Sequence, residues 1–152
     1  MISGMDASRT IKSAPKVLLA GHAQERCRSL RAVLEADGMT VCDPVADLAG
    51  AVAASARERP DLCLLDAGAA GAGYAGVEAI LGAAPGVHVV ITDGSASDAE
   101  LLEAVAVGAS GHLRRDLHAA ALTGALRDVL AGRSAFPRRL EPLVAAALRA
   151  PR

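Results

Sequence analysis

A carboxylate, a hydroxyl, a histidine and two arginines stand where apolar runs give out. Gly21 and His22 follow 16-KVLLA-20, Asp66 closes 61-DLCLLD-66, Thr92 follows 87-VHVVI-91, and Arg114 and Arg115 follow 110-SGHL-113. These are the polar and charged positions to weigh for chemistry. Several common chemistries find little support. Cys27, Cys42 and Cys63 are scattered and odd in number, which fits neither a disulfide framework nor a zinc site. His112 and His118 lie six apart across a strand–helix junction, a poor spacing for a shared metal. The glycines of 67-AGAAGAGYAG-76 follow a strand but lack both G-x-G-x-x-G order and a Gly-Lys-Ser/Thr ending. They are expected to form a mobile loop of small residues. His22 has no second ligand type nearby and is expected to be a solvated loop histidine.

Those residues need elements to hold them. Five short apolar runs, at 16–20, 39–42, 61–66, 87–91 and 110–113, alternate with stretches of helical spacing. The first, third and fourth are apolar nearly throughout, as in parallel strands covered on both faces. Cys27, Leu30, Val33 and Leu34 mark one helix face, and Gly38 stops that helix. The next helix is expected to open at 43-DP-44, the third to cover 76–84, and the fourth to start with a capping box at 97-SDAE-100. The fifth follows Asp116 as cap and extends to Gly132. Strand alternating with helix five times predicts a doubly wound three-layer α/β/α sandwich. Chemistry in such sheets gathers at the carboxyl ends of the strands, where the residues above stand.

The order and spacing of three stretches resemble the receiver domains of response regulators, most of all those preceding a LuxR-type helix-turn-helix. The stretches are 60-PDLCLLD-66, 89-VVIT-92 and 107-VGASGHLRRD-116. The resemblance covers residues 16–132, with a lead-in at 1–15 and a linker or C-terminal helix at 133–152. It implies a five-stranded parallel CheY-like sheet of order 2-1-3-4-5. It makes Asp66 the phospho-acceptor equivalent, Thr92 the hydroxyl that follows the phosphoryl group, and His112 the occupant of an aromatic switch position. It also shows departures. Arg115 replaces the family's lysine, and Gly21 and His22 replace the acidic pair that holds the metal. Magnesium prefers several hard oxygen ligands, so binding of it is expected to be weak or absent and no cofactor is expected. A guanidinium can fork onto a carboxylate as an ammonium cannot, so Arg115 is expected to pair with Asp66 directly.

The resulting expectation is a non-enzymatic, atypical receiver that acts by protein–protein contact in transcriptional signalling. Its partners would be a second copy, through faces of the fourth helix, fifth strand and fifth helix or of the first and fifth helices, and a histidine kinase. A phosphorylatable receiver and a small-ligand-sensing module are the alternatives. A flavodoxin-like enzyme is disfavoured by the lack of a phosphate loop and of a nucleophile–base pair. The 152 residues are 52% hydrophobic and 22% charged, with formal charge −1, which gives no global pull toward nucleic acid or membrane. No run approaches the ~20 apolar residues of a membrane span, and the polar opening does not resemble a secretory signal. A cytoplasmic setting is expected. In the tail, Pro137 is expected to open a helix with Leu140, Leu143, Val144 and Leu148 on one face. Its arginines are expected to be solvated, with DNA contacted only through a separate output domain.

Overall fold

A computed structural model of the chain describes residues 14–149. Five strands form a single sheet: β1 (Lys16–Ala20), β2 (Thr40–Val41), β3 (Leu62–Asp66), β4 (His88–Asp93) and β5 (Gly111–Arg114). All neighbours are parallel, in the order β2-β1-β3-β4-β5. The intervening helices are α1 (Gln24–Ala36), α2 (Leu48–Glu58), α3 (Ala75–Ala83), α4 (Asp98–Ala106) and α5 (Ala119–Leu130). A last helix, α6 (Glu141–Arg149), follows a 3-10 turn at Arg138–Leu140.

Strand residues alternate between the two faces, and both faces are dry. Leu18, Ala20, Cys63, Leu65, Val89 and Ile91 pack with Ala51 and Ala54 of α2 and with Val77 and Ile80 of α3. Val17, Leu19, Leu62, Leu64 and Val90 pack with Leu30 and Leu34 of α1 and with Leu122, Leu126 and Val129 of α5. With so few aromatic residues, the core is filled by aliphatic side chains, and alanines let α2 lie close to the sheet. All three cysteines are free. Burial pushes the Cys63 thiol up to about 12, so it behaves as a small apolar side chain.

Local signals placed some boundaries correctly and misplaced others. The capping box at α4 is present: Glu100 N–H donates to Ser97 Oγ at 3.1 Å and Ser97 N–H to Glu100 Oε1 at 2.9 Å. Helix α2 does not open at Asp43-Pro44. Val45 bridges to Ala20, and the Gly21 N–H donates to the Val45 carbonyl at 3.0 Å, so the chain stays extended beside β1. The cap is Asp47, whose Oδ1 accepts from Gly50 N–H at 2.8 Å. Asp47→Ala is therefore expected to cost about 1 kcal/mol, read as a lower denaturant midpoint with an unchanged slope.

Asp116 does not cap α5 either. Arg114 holds it through two 2.9 Å contacts, and the helix begins at Ala119, after His118, without a side-chain cap. Strand β2 is shorter than its apolar run, leaving Cys42 half-buried outside it. In the tail, only Leu140 and Val144 of the expected apolar face are buried, whereas Leu143 and Leu148 are 51% and 62% exposed. Contact with α4 sets which side of α6 is covered. The lead-in reading of 1–15 falls largely outside the described residues.

Candidate functional site

Parallel register brings the strand ends to one rim. Asp66, last in β3, is the register partner of Thr92 in β4, and Asp93 is the partner of Arg114 in β5. Arg115 comes next, and its N–H donates to the Asp93 carbonyl at 2.6 Å. That anchor lets the guanidinium reach across β4 to Asp66. Its Nε and Nη2 stand 3.0 and 2.9 Å from Asp66 Oδ1. Thr92, 1% exposed, points its Oγ1 at the same oxygen from 3.5 Å. The other oxygen, Oδ2, accepts from Gly68 N–H at 3.0 Å. Both carboxylate oxygens thus have a protein donor, one of them charged.

The rim continues away from Asp66. Asp93 Oδ1 accepts from Gly94 N–H at 2.7 Å and lies 4.0 Å from Arg115 Nη2. Its Oδ2 is 3.8 Å from His112 Nε2. Tyr74 comes in from the segment after β3, with its Oη 3.5 Å from His112 Nε2 and its ring edge-on to the imidazole at 6.0 Å. Asp66, Arg115, Asp93, His112 and Tyr74 make one row of neighbouring polar groups from the rim into the β5 side of the fold.

No family model matches the chain. It is 32% identical over 136 residues to the DNA-binding transcriptional activator DevR/DosR of Mycobacterium tuberculosis, covering 88% of this chain and 63% of that relative. Among solved structures it resembles a LuxR-family two-component response regulator from Aurantimonas, with TM-score 0.75, 22% identity, and coverage of 91% and 100% of the two chains. The signal receiver domain of the putative response regulator NarL of M. tuberculosis gives TM-score 0.71, 21% identity, and coverage of 80% and 100%. This chain has the CheY-like receiver fold, and its sequence is related to that of a LuxR/NarL-type regulator. The receiver family is a non-enzymatic signalling family, and the chain spans about 63% of the length of the curated relative it matches.

A receiver's metal site would lie at this rim, and the residues present do not fit a magnesium ion. Gly21 sits at φ +82°, and a Cβ there would stand 2.6 Å from Ala69 Cβ and 3.4 Å from Asp66 Cβ. The space an acidic side chain would leave by is filled with protein. His22 is turned inward: its Nε2 donates to the Leu64 carbonyl at 3.1 Å, and its Nδ1 is buried without a hydrogen-bond partner among the described residues. Both Asp66 oxygens already accept from protein donors, Oδ1 from Arg115 and Thr92 and Oδ2 from Gly68. Among the described residues, no group of three or more His, Cys, Asp or Glu side chains could hold a metal. Magnesium needs near-octahedral oxygen coordination, and beside Asp66 the rim sets an arginine, alanines and a committed imidazole, while the Asp93 carboxylate faces Gly94 N–H, Arg115 and His112.

Two expectations about the receiver are corrected. His22 is not a solvated loop residue, because the neighbouring strand's carbonyl captures its ring. The glycine-rich stretch is not a free loop. Ala67–Ala70 form a single helical turn capped by Asp66, Ala72–Tyr74 a 3-10 turn, and Ala70 and Tyr74 are buried. Sequence reasoning passed over Asp93 and Tyr74. Asp93 directly follows Thr92 at the end of an apolar run, a readable signal. Tyr74 is the sole tyrosine and stands in a run of glycine and alanine, which was the available hint.

The two histidines give the receiver a defined acid response. Burial lowers the His22 pKa below its ordinary 6.5, with the Leu64 hydrogen bond and the Asp66 charge opposing. Burial likewise lowers His112, with Asp93 and Glu100 opposing. As pH falls through 6.5, the unfolded chain takes up these protons before the folded one. Their contribution to stability is full above 6.5 and is lost as pH drops toward the folded values. Urea midpoints are expected to fall between about pH 7.5 and about pH 5.5, and to fall less in His22→Gln and His112→Gln. A midpoint that rises on acidification in this window contradicts the assignment.

Proposed function

We propose that this receiver signals by protein–protein contact in transcriptional control, without magnesium-dependent phosphorylation. The observation that carries this reading is the occupation of both Asp66 oxygens, by Arg115 and Thr92 on one side and Gly68 on the other. In this reading Asp66 is the phospho-acceptor equivalent, and Arg115 supplies the fixed positive charge that a metal ion would otherwise supply. Thr92 and His112 report the state of the pocket. Gly21 and His22 are former acidic positions now given to packing. An upstream histidine kinase, an output domain that contacts DNA, and a cytoplasmic setting belong to the same proposal. The relative DevR/DosR, named as a DNA-binding transcriptional activator, supports its transcriptional side. No helix of the described residues is long and apolar enough to cross a membrane.

Self-association is proposed through α1 and α5. Between them lies a shallow depression of about 420 Å³ lined by Ala32, Val33, Ala36, Ala119, Ala120 and Thr123. The alternative face at α4 and β5 is already covered by the chain's own residues 134–149. Incubation with acetyl phosphate and magnesium, followed by intact mass measurement, tests the central reading. The protein is expected to stay unmodified. A stoichiometric phosphate adduct that disappears in Asp66→Asn would overturn it.

A further inference from the structure

Past α5 the chain turns at Gly132, at φ +91°, and comes back along the outer edge of β5. Ala135 bridges Gly111 in parallel: its N–H donates to the Ser110 carbonyl and its carbonyl accepts from His112 N–H, each at 2.9 Å. An open strand edge presents unpaired donors and acceptors, and an added strand satisfies them. Beyond it, Leu140 and Val144 lie on Leu101 and Val105 of α4 as a small cluster separate from the two main cores. Phe136, the sole phenylalanine, packs against both this cluster and the core on the α2–α3 side. Arg139 Nη2 reaches Asp98 Oδ1 at 2.9 Å on the surface.

Two features set this segment apart from the fold beneath it. The segment does not lie flush: a solvent-open depression of about 500 Å³ remains between it, β5 and α5, lined by Arg114, Asp128, Arg133 and Arg138 as well as by Leu113 and Phe136. The other is Gly111. Its φ lies outside the left-handed range, so β5 itself would accept an alanine there. The nearest atoms a Cβ would meet all belong to the segment, namely Ala135 Cβ and carbonyl oxygen, both at 2.9 Å. Glycine at this strand position leaves the room that Ala135 of the strap occupies.

We propose that the β5 edge and the adjoining face of α4 form a docking surface for an extended-then-helical segment. Residues 134–149 of this chain are its resident occupant, and they detach as a unit while the sheet stays folded. The two apolar anchors, the two backbone hydrogen bonds and the exposed ion pair hold the surface closed to other partners. This inference stands apart from the proposal about phosphorylation, since no contact in it involves Asp66.

Hydrogen exchange on the full chain, followed by mass spectrometry, tests detachment. Residues 135–149 are expected to exchange through an opening at least about tenfold more populated than that of β1 and β3. Gly111→Ala is expected to raise it about tenfold again, leaving β1 and β3 unchanged. Exchange of the strap only together with the sheet, or a strap unaffected by the added methyl, overturns the proposal. A labelled peptide of residues 133–149 supplies the second test. It is expected to bind the full chain carrying Leu140→Ala and Val144→Ala at least about tenfold more tightly than the unaltered chain, where the tethered copy competes. Equal affinity for the two, or no binding to either, overturns it as well.

Discussion

Replacing Gly21 by aspartate, the change that would bring back an acid at the first metal-ligand position, is expected to destabilise the domain by roughly 2–4 kcal/mol. Two costs add. A side chain at φ +82° pays for the left-handed backbone, and its Cβ would lie 2.6 Å from the Cβ of Ala69. Ala69 belongs to the helical turn Ala67–Ala70, which Asp66 caps, so it cannot swing aside as a flexible side chain would. For a chain of this size, the loss corresponds to a melting temperature lower by roughly 10 °C. Gly21→Ala should lose nearly as much, because the Cβ and the backbone carry the cost and the carboxylate does not. An aspartate variant as stable as the parent, with a new affinity for magnesium, would show that the turn yields and that the site is only dormant.

A double-mutant cycle on Arg115 and Asp66 is the second large expectation. Arg115→Met keeps the aliphatic stem and removes the charge, and is expected to cost about 1–2 kcal/mol. The Arg115 side chain is 44% exposed and that of Asp66 only 15%, so the pair is screened on one side and sheltered on the other. Asp66→Asn should cost a comparable amount. The double variant should then lose little more than either alone, a coupling of about 1 kcal/mol. High salt should weaken it only in part. Coupling below about 0.3 kcal/mol, the margin within which independent sites add, would mean that the contact contributes nothing.

What could be read from residue order and what could not divide along a physical line. Strand ends are set by local apolar runs, and parallel sheets gather them at one rim, so Asp66, Thr92 and Arg115 could be placed together from sequence. The Ser97–Glu100 cap is likewise a four-residue signal, and both of its hydrogen bonds are present. The start of α2 was misplaced because Asp43-Pro44 and Asp47 carry similar local signatures. The choice between them is made by Val45 pairing with Ala20 and Gly21, which are more than twenty residues away. Asp116 looks like a cap until Arg114 takes its carboxylate. The inward ring of His22 depends on the Leu64 carbonyl in the next strand. The packing of 67–76 depends on Gly21 leaving room for Ala69. Which side of α6 is buried depends on where α4 lies. Each of these is a tertiary fact, invisible to spacing rules.

Magnesium titration of the isotope-labelled full chain, followed on the amides of Asp66, Gly68 and Thr92 and on the Nε–H of Arg115, bears most directly on how this receiver works. The account predicts that these signals stay in place at millimolar ion, because the carboxylate already has its cation in Arg115. Saturable shifts centred on Asp66, with loss of the Arg115 Nε–H contact, would contradict it.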